Sequence, residues 1–144
     1  IPLYREARTA AGHPDRGGEE ATLLGPLYVG ESKAQIREEL EPSMRRFLES
    51  VAALAATHGP ALGAQSSRIK DVFERVRRMT YEKVDEVMAI FDTPDACVER
   101  LKRLEEEFGM GRFVCWFNPG GMVPHSQVMR SMELFAAKVM PHFP

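Results

Sequence analysis

The chain has 144 residues, 44% of them hydrophobic and 28% charged, which is enough for one core and too apolar for a disordered segment. Lysine and arginine number 19 against 21 acidic residues, a net charge of −2, so there is no broad positive field for nucleic acid and no polybasic membrane patch. No apolar run approaches the roughly 20 residues of a transmembrane helix, and no basic, apolar, small-residue leader pattern is read.

The chain opens at Ile1 rather than Met, so it is expected to be processed or part of something longer. Residues 1–11 read as a helix with Tyr4, Ala7 and Ala11 on one face and Gly12 as its left-handed stop. After the break at 13–18, Thr22–Val29 is a mostly apolar run that reads as a strand, with Pro26 marking an irregularity or an edge position. Ser32 opens the next helix, and Gln35 three residues on makes a capping box available. Ile36, Leu40, Met44, Phe47, Val51 and Leu54 follow helical spacing, Pro42 should kink or split that helix, and Gly59-Pro60 should end it. Residues 61–67 lack periodicity and read as a loop. Ile69, Val72, Phe73 and Val76 make a further amphipathic face, beside an Arg75, Arg77, Arg78 cluster that reads as solvated.

Thr80 is a cap for a short helix through Val87, and Met88–Phe91 reads as a short buried strand. Thr93-Pro94-Asp95 supplies an N-cap, a proline at the first helical position and an acid in the first turn. Cys97, Leu101, Leu104 and Phe108 share one face of that helix, and Gly109 closes it. Phe113–Phe117 is apolar on both alternating faces, so it should be a strand covered on both sides. After a break at Asn118-Pro119-Gly120-Gly121, Ser126 starts a last helix with Val128, Met132, Phe135 and Val139 on one face, and Pro141 ends it.

Strands alternating with helices imply an α/β class with parallel strands joined by right-handed crossovers. Three parallel strands alone would have two open edges facing water or a partner chain. A (β/α)8 TIM barrel takes roughly 250 residues. The arithmetic therefore points to a single partial domain over 1–144, about three strands of a barrel with their helices. A small three-strand layer is the alternative.

The chemistry is sparse. Gly25 and Gly30 have phosphate-loop separation, but Glu31 stands where the loop lysine belongs. There is no Gly-x-Ser-x-Gly elbow. His13, His58, His125 and His142 are scattered, and with Cys97 and Cys115 far apart no zinc spacing exists. Two such cysteines make no disulfide scaffold and point to a reducing cytoplasm, with both thiols in the core. Glu105-Glu106-Glu107 reads as an exposed helical face, and the eight methionines read mostly as helical core.

One segment stands above this background. Trp116-Phe117-Asn118-Pro119-Gly120-Gly121 follows a buried parallel strand, where such folds gather their sites. Trp116 offers a flat ring, Asn118 donates and accepts hydrogen bonds, and Gly120 and Gly121 allow close backbone approach to a ligand.

These residues resemble the bacterial luciferase-like, flavin-dependent monooxygenases, in their C-terminal portion. The resemblance runs through Phe91-Asp92-Thr93-Pro94-Asp95, Val98–Leu101, Phe108-Gly109, Phe113–Asn118, Gly120-Gly121, Val128–Ala136 and Val139-Met140-Pro141, with Tyr28–Ser32 earlier. Val128–Ala136 with Val139–Pro141 is its most specific part. The resemblance implies a (β/α)8 barrel that uses reduced FMN, or F420 in some branches, and inserts one atom of dioxygen into a small organic substrate. It further implies a separate flavin reductase as a partner and a homo-oligomer, since members are usually dimeric. Trp116, Asn118, Gly120 and Gly121 would line the cofactor pocket, and Gln65, Ser66 and Arg68 would belong to a lid over the substrate. The family's N-terminal half has no counterpart here, so no catalytic residue is assigned and the chain alone is expected to be inactive. The rival expectation is a non-catalytic flavin-binding or oligomerising module of the same fold.

Overall fold

The computed structural model describes residues 2–13, 22–63, 71, 74, 75 and 78–143. In chain order it places α1 (Pro2–Ala10), β1 (Thr22–Val29), α2 (Lys33–Gly63), α3 (Tyr81–Val87), β2 (Ile90–Asp92), α4 (Pro94–Phe108), β3 (Arg112–Trp116) and α5 (His125–Lys138). A single 3-10 turn, Met140–His142, follows α5.

Local signals set most of these boundaries. Ser32 Oγ accepts from the Gln35 N–H at 3.2 Å, and Gln35 Oε1 reaches back to the Glu31 N–H at 3.1 Å, so two orphan donors of α2 are satisfied. Thr80 Oγ1 accepts from the Lys83 N–H at 3.3 Å and starts α3. Pro94 occupies the first helical position of α4, and Gly109 stops it in the left-handed conformation at φ 57°.

All three strands are parallel, in the order β2-β1-β3. Leu27, Tyr28 and Val29 pair with Ile90, Phe91 and Asp92, while Thr22–Pro26 pair with Arg112–Trp116. The chain moves to one side of β1 for β2 and to the other for β3. Crossovers of one hand then put their helices on opposite faces. The packing agrees: Tyr28 and Phe91 meet Ile36, Leu40 and Met44 of α2 and Val84 of α3, whereas Leu27, Val29 and Ile90 meet Cys97, Val98 and Leu101 of α4 and Val139. Each β1 side chain alternates between these two cores. Truncating a fully buried member such as Leu40 to Ala would cost about 2–5 kcal/mol. This is an open, doubly wound α/β arrangement. A barrel wall would have its strands paired in chain order and all its helices outside.

Several expectations are corrected. β1 is central rather than an edge. The Val29 N–H bonds toward α5 and the Gly30 N–H toward Asp92 of β2. Two-residue alternation puts the Pro26 nitrogen on the β2 side, just ahead of where that pairing begins at Leu27. No ladder bond is lost there. Helix α2 runs unbroken through Pro42 and past Gly59-Pro60 to Gly63. Proline's fixed φ is helical, so each proline removes one donor without forcing a stop. Met88 lies outside β2 and is exposed.

Strand β3 is an edge, and its two faces are not both covered. Val114 is 42% exposed, and its register partner Leu24 is 67% exposed. Of the methionines, Met44 and Met110 are buried, while Met88, Met122, Met129, Met132 and Met140 are exposed, so the core reading of the methionines fails. The last helix leans on the sheet through Ser131 and Val139, which leaves Met132 outside. Ile69, Val72, Phe73, Val76 and Arg77 lie outside the described residues, and Arg75 and Arg78 are exposed.

Candidate functional site

The loop after β3 sits at the C-terminal end of the sheet, where a ligand site is expected, and it is held there by α2. Ser43, which is buried, donates from Oγ to the Pro119 carbonyl at 2.6 Å and accepts from the Met122 N–H at 2.9 Å. Asn118 Oδ1 accepts from the Val123 N–H at 3.1 Å and lies 3.2 Å from Ser43 Oγ, and Asn118 Nδ2 donates to the Val123 carbonyl at 3.2 Å. Both ends of the Asn118 amide therefore close its own loop. Gly120 has φ +87°, and a Cβ there would lie 1.9 Å from the Ser43 carbonyl oxygen. Only a glycine lets the loop come that close to the helix. Gly121 also has a positive φ, +73°, with open space around it. Trp116 is half-buried and meets Phe47 of α2 edge-on, ring centroids 5.0 Å apart.

The sequence placed Trp116, Asn118, Gly120 and Gly121 together, and in the structure Trp116 ends β3 while Asn118, Gly120 and Gly121 lie in the loop that follows it. It missed Ser43, the residue they are assembled on. Nothing in the local pattern of α2 marks one serine as the anchor of a loop 76 residues later. Gln65, Ser66 and Arg68, expected in a lid, lie outside the described residues.

A polar cluster that the sequence did not signal caps the same end of the sheet. Tyr28 is buried at the end of the central strand, and its hydroxyl donates to Glu39 Oε2 at 2.6 Å. Glu39 is also paired with Arg130 of α5 and accepts from Gln35 Nε2 at 3.0 Å. Burial, reinforced by the Glu39 carboxylate, pushes the Tyr28 phenol well above its ordinary range, so it stays a donor. Burial alone would raise the Glu39 carboxyl. The hydrogen bonds from Tyr28, Gln35 and Arg130 outweigh it and hold that carboxyl below its usual value. Lys33 donates to the Phe91 carbonyl at 2.6 Å and meets Asp85 at 3.1 Å and Asp92 at 3.0 Å; burial alone would lower its ammonium, and the two carboxylates outweigh it and raise it. One feature could have pointed to it: a tyrosine inside an apolar strand needs a partner for its hydroxyl.

Chemically, the arrangement is saturated. Tyr28, Glu39, Arg130 and Lys33 are each committed to partners, so none stands ready as a base or as an anion clamp. The loop as folded does not fit a flavin: Asn118 faces its own loop, and Gly120 faces backbone. Among the described residues, no group of three or more His, Cys, Asp or Glu side chains is placed to hold a metal ion. No described helix is long and apolar enough to cross a membrane.

No protein-family model and no curated protein matches the chain.

Proposed function

We propose that this chain is the C-terminal part of a luciferase-like, flavin-dependent monooxygenase. Its parent would use reduced FMN, with F420 as the other candidate flavin, and dioxygen on a small organic substrate. The observation that carries the reading is the run Val128–Ala136 with Val139-Met140-Pro141, preceded by a parallel strand that ends in Trp116–Gly121. The uncovered pair Leu24 and Val114 supports it, because apolar side chains exposed on one face of a sheet are suited to being covered by further chain, and β3 is an edge strand to which another strand can be added. Trp116, Asn118, Gly120 and Gly121 would face the cofactor, but only after the loop leaves Ser43. The reading also entails a repairing of strands. A barrel wall needs β2 between β1 and β3, so β3 must release β1 when the remaining strands are present. A flavin reductase and a second copy would be the parent's partners, in the cytoplasm.

The coding region upstream of Ile1 provides the test. Further strand–helix units in frame support the proposal, and a start codon directly before Ile1 overturns it. The protein alone should turn over no substrate with reduced FMN and dioxygen.

A second reading, a non-catalytic module that holds flavin, is favoured by one observation. Strand order reverses between β1 and β3, and open doubly wound sheets bind ligands in the crevice at such a reversal. Here α5 fills that position through Ser131 and Gln127. Trp116 is the only tryptophan, so its fluorescence reports on the loop beside the crevice. Saturable quenching by FMN without turnover would favour this reading over the first.

A further inference from the structure

A cavity of about 310 Å³ opens beside the start of β3, at the other end of that strand from the Trp116–Gly121 loop. Three phenyl rings line it, Phe113, Phe135 and Phe143, together with Leu101 and Met110. Two charged residues border the same space: Glu105, in the last turns of α4, and Arg112, the first residue of β3. The tight turn at Gly109 reverses the chain between them. Both are exposed, and among the described residues neither side chain makes a hydrogen bond or ion pair.

An apolar interior with a few polar groups at its border, at this volume, has the make-up of small-molecule sites near their lower limit of size. The border narrows the class of occupant. A plain hydrocarbon would leave both charges facing its edge. A fatty acid would satisfy Arg112 and set its carboxylate against Glu105. An apolar amine would do the reverse. We propose that this cavity binds a free apolar α-amino acid, with its side chain among the phenyl rings, its carboxylate on the Arg112 fork and its ammonium at Glu105. A guanidinium grips a carboxylate through two parallel bonds, which gives direction as well as attraction. The site is separate from the flavin reading and stands or falls without it.

Cys115 also lines this cavity, whereas Cys97 is fully buried in the core, so alkylation of Cys115 reports on occupancy. The chain is treated with N-ethylmaleimide in the presence of phenylalanine, phenylpropanoate or phenylethylamine. Phenylalanine should slow alkylation of Cys115 saturably, and each analogue, lacking one charge, should need about fivefold more for the same protection. Arg112→Gln should erase the advantage over phenylethylamine, and Glu105→Gln the advantage over phenylpropanoate. Both side chains are exposed, so neither change threatens folding, and unaltered thermal unfolding checks that. Absence of protection by phenylalanine, or equal protection by all three compounds, overturns the proposal.

Discussion

The backbone N–H of Val29 donates to the hydroxyl of Ser131, 102 residues later in the chain, at 2.8 Å and in a buried setting. The bond follows from the register. Strand β3 pairs only with Thr22–Pro26, so the same side of β1 is open beyond Pro26. Helix α5 covers that opening and presents a hydroxyl to it. Ser131→Ala should leave the Val29 donor buried without a partner and lower stability by about 1–3 kcal/mol. Denaturant midpoints measure this, and an unchanged midpoint would mean that α5 is not seated there.

Gly120 and Gly121 separate two effects that usually travel together. Both have positive φ, but only Gly120 lies against backbone. Gly121→Ala should cost about 1 kcal/mol, the strain of placing a side chain in the left-handed region. Gly120→Ala adds a collision with the Ser43 carbonyl that no rotamer can relieve, and should cost at least about 3 kcal/mol or displace the loop from α2. Thermal unfolding of the two variants side by side, with Trp116 fluorescence as the local probe, tests the difference. Equal losses would refute the close approach.

Glu39 makes the stability depend on acid. Its folded carboxyl titrates below the ordinary value of 4.5, because its three hydrogen-bond donors outweigh burial. A depressed carboxyl contributes stability that is fully present above the unfolded value and is lost as the pH falls through the folded one. Unfolding free energy should therefore decline below about pH 4.5. Glu39→Gln should lose about 2 kcal/mol at neutral pH and flatten that acid limb. A steep acid limb that survives in the variant would assign it to other carboxylates.

How far the sequence disclosed this molecule depended on the range of the interaction. Signals within one turn were legible. Ser32 with Gln35, Thr80 and Pro94 mark helix starts by satisfying or removing donors a few residues away, and Gly109 marks a helix end by giving its N–H to the Glu105 carbonyl. The mostly apolar run Thr22–Val29 also marked β1 as a strand, but not that Leu27, Tyr28 and Val29 are buried on both of its faces. Strand order was not legible, because nothing in a parallel strand names its neighbour. Pro26 pointed to an irregularity or an edge, and the short β2 made a central position tolerable. The apolar run in β3 suggested full cover, yet Val114 faces outward beside Leu24. For the candidate site, the sequence placed Trp116–Gly121 at a strand end, where it is. It did not show that Asn118 and Gly120 are turned toward Ser43, since that contact joins residues 75 positions apart.

The two cysteines differ in access, and this gives a clock for opening. Burial pushes the Cys97 thiol up to about 12 and also raises Cys115, which is only half-buried. A thiolate, not a thiol, attacks an alkylating reagent, so both should react slowly near neutral pH. Cys115 should nevertheless react in the folded protein, through the cavity that it lines. Cys97 packs against Leu27, Val29 and Leu101, and its only route to reagent is disruption of that core. Native alkylation should therefore stop at one modified thiol, with the second appearing at the rate of opening of the core. Ser131→Ala, by weakening the hold of α5 on the sheet, should speed the second event and leave the first unchanged. Mass spectrometry over a time course reads both, and simultaneous modification of Cys97 and Cys115 would show that the core beneath α4 is not closed.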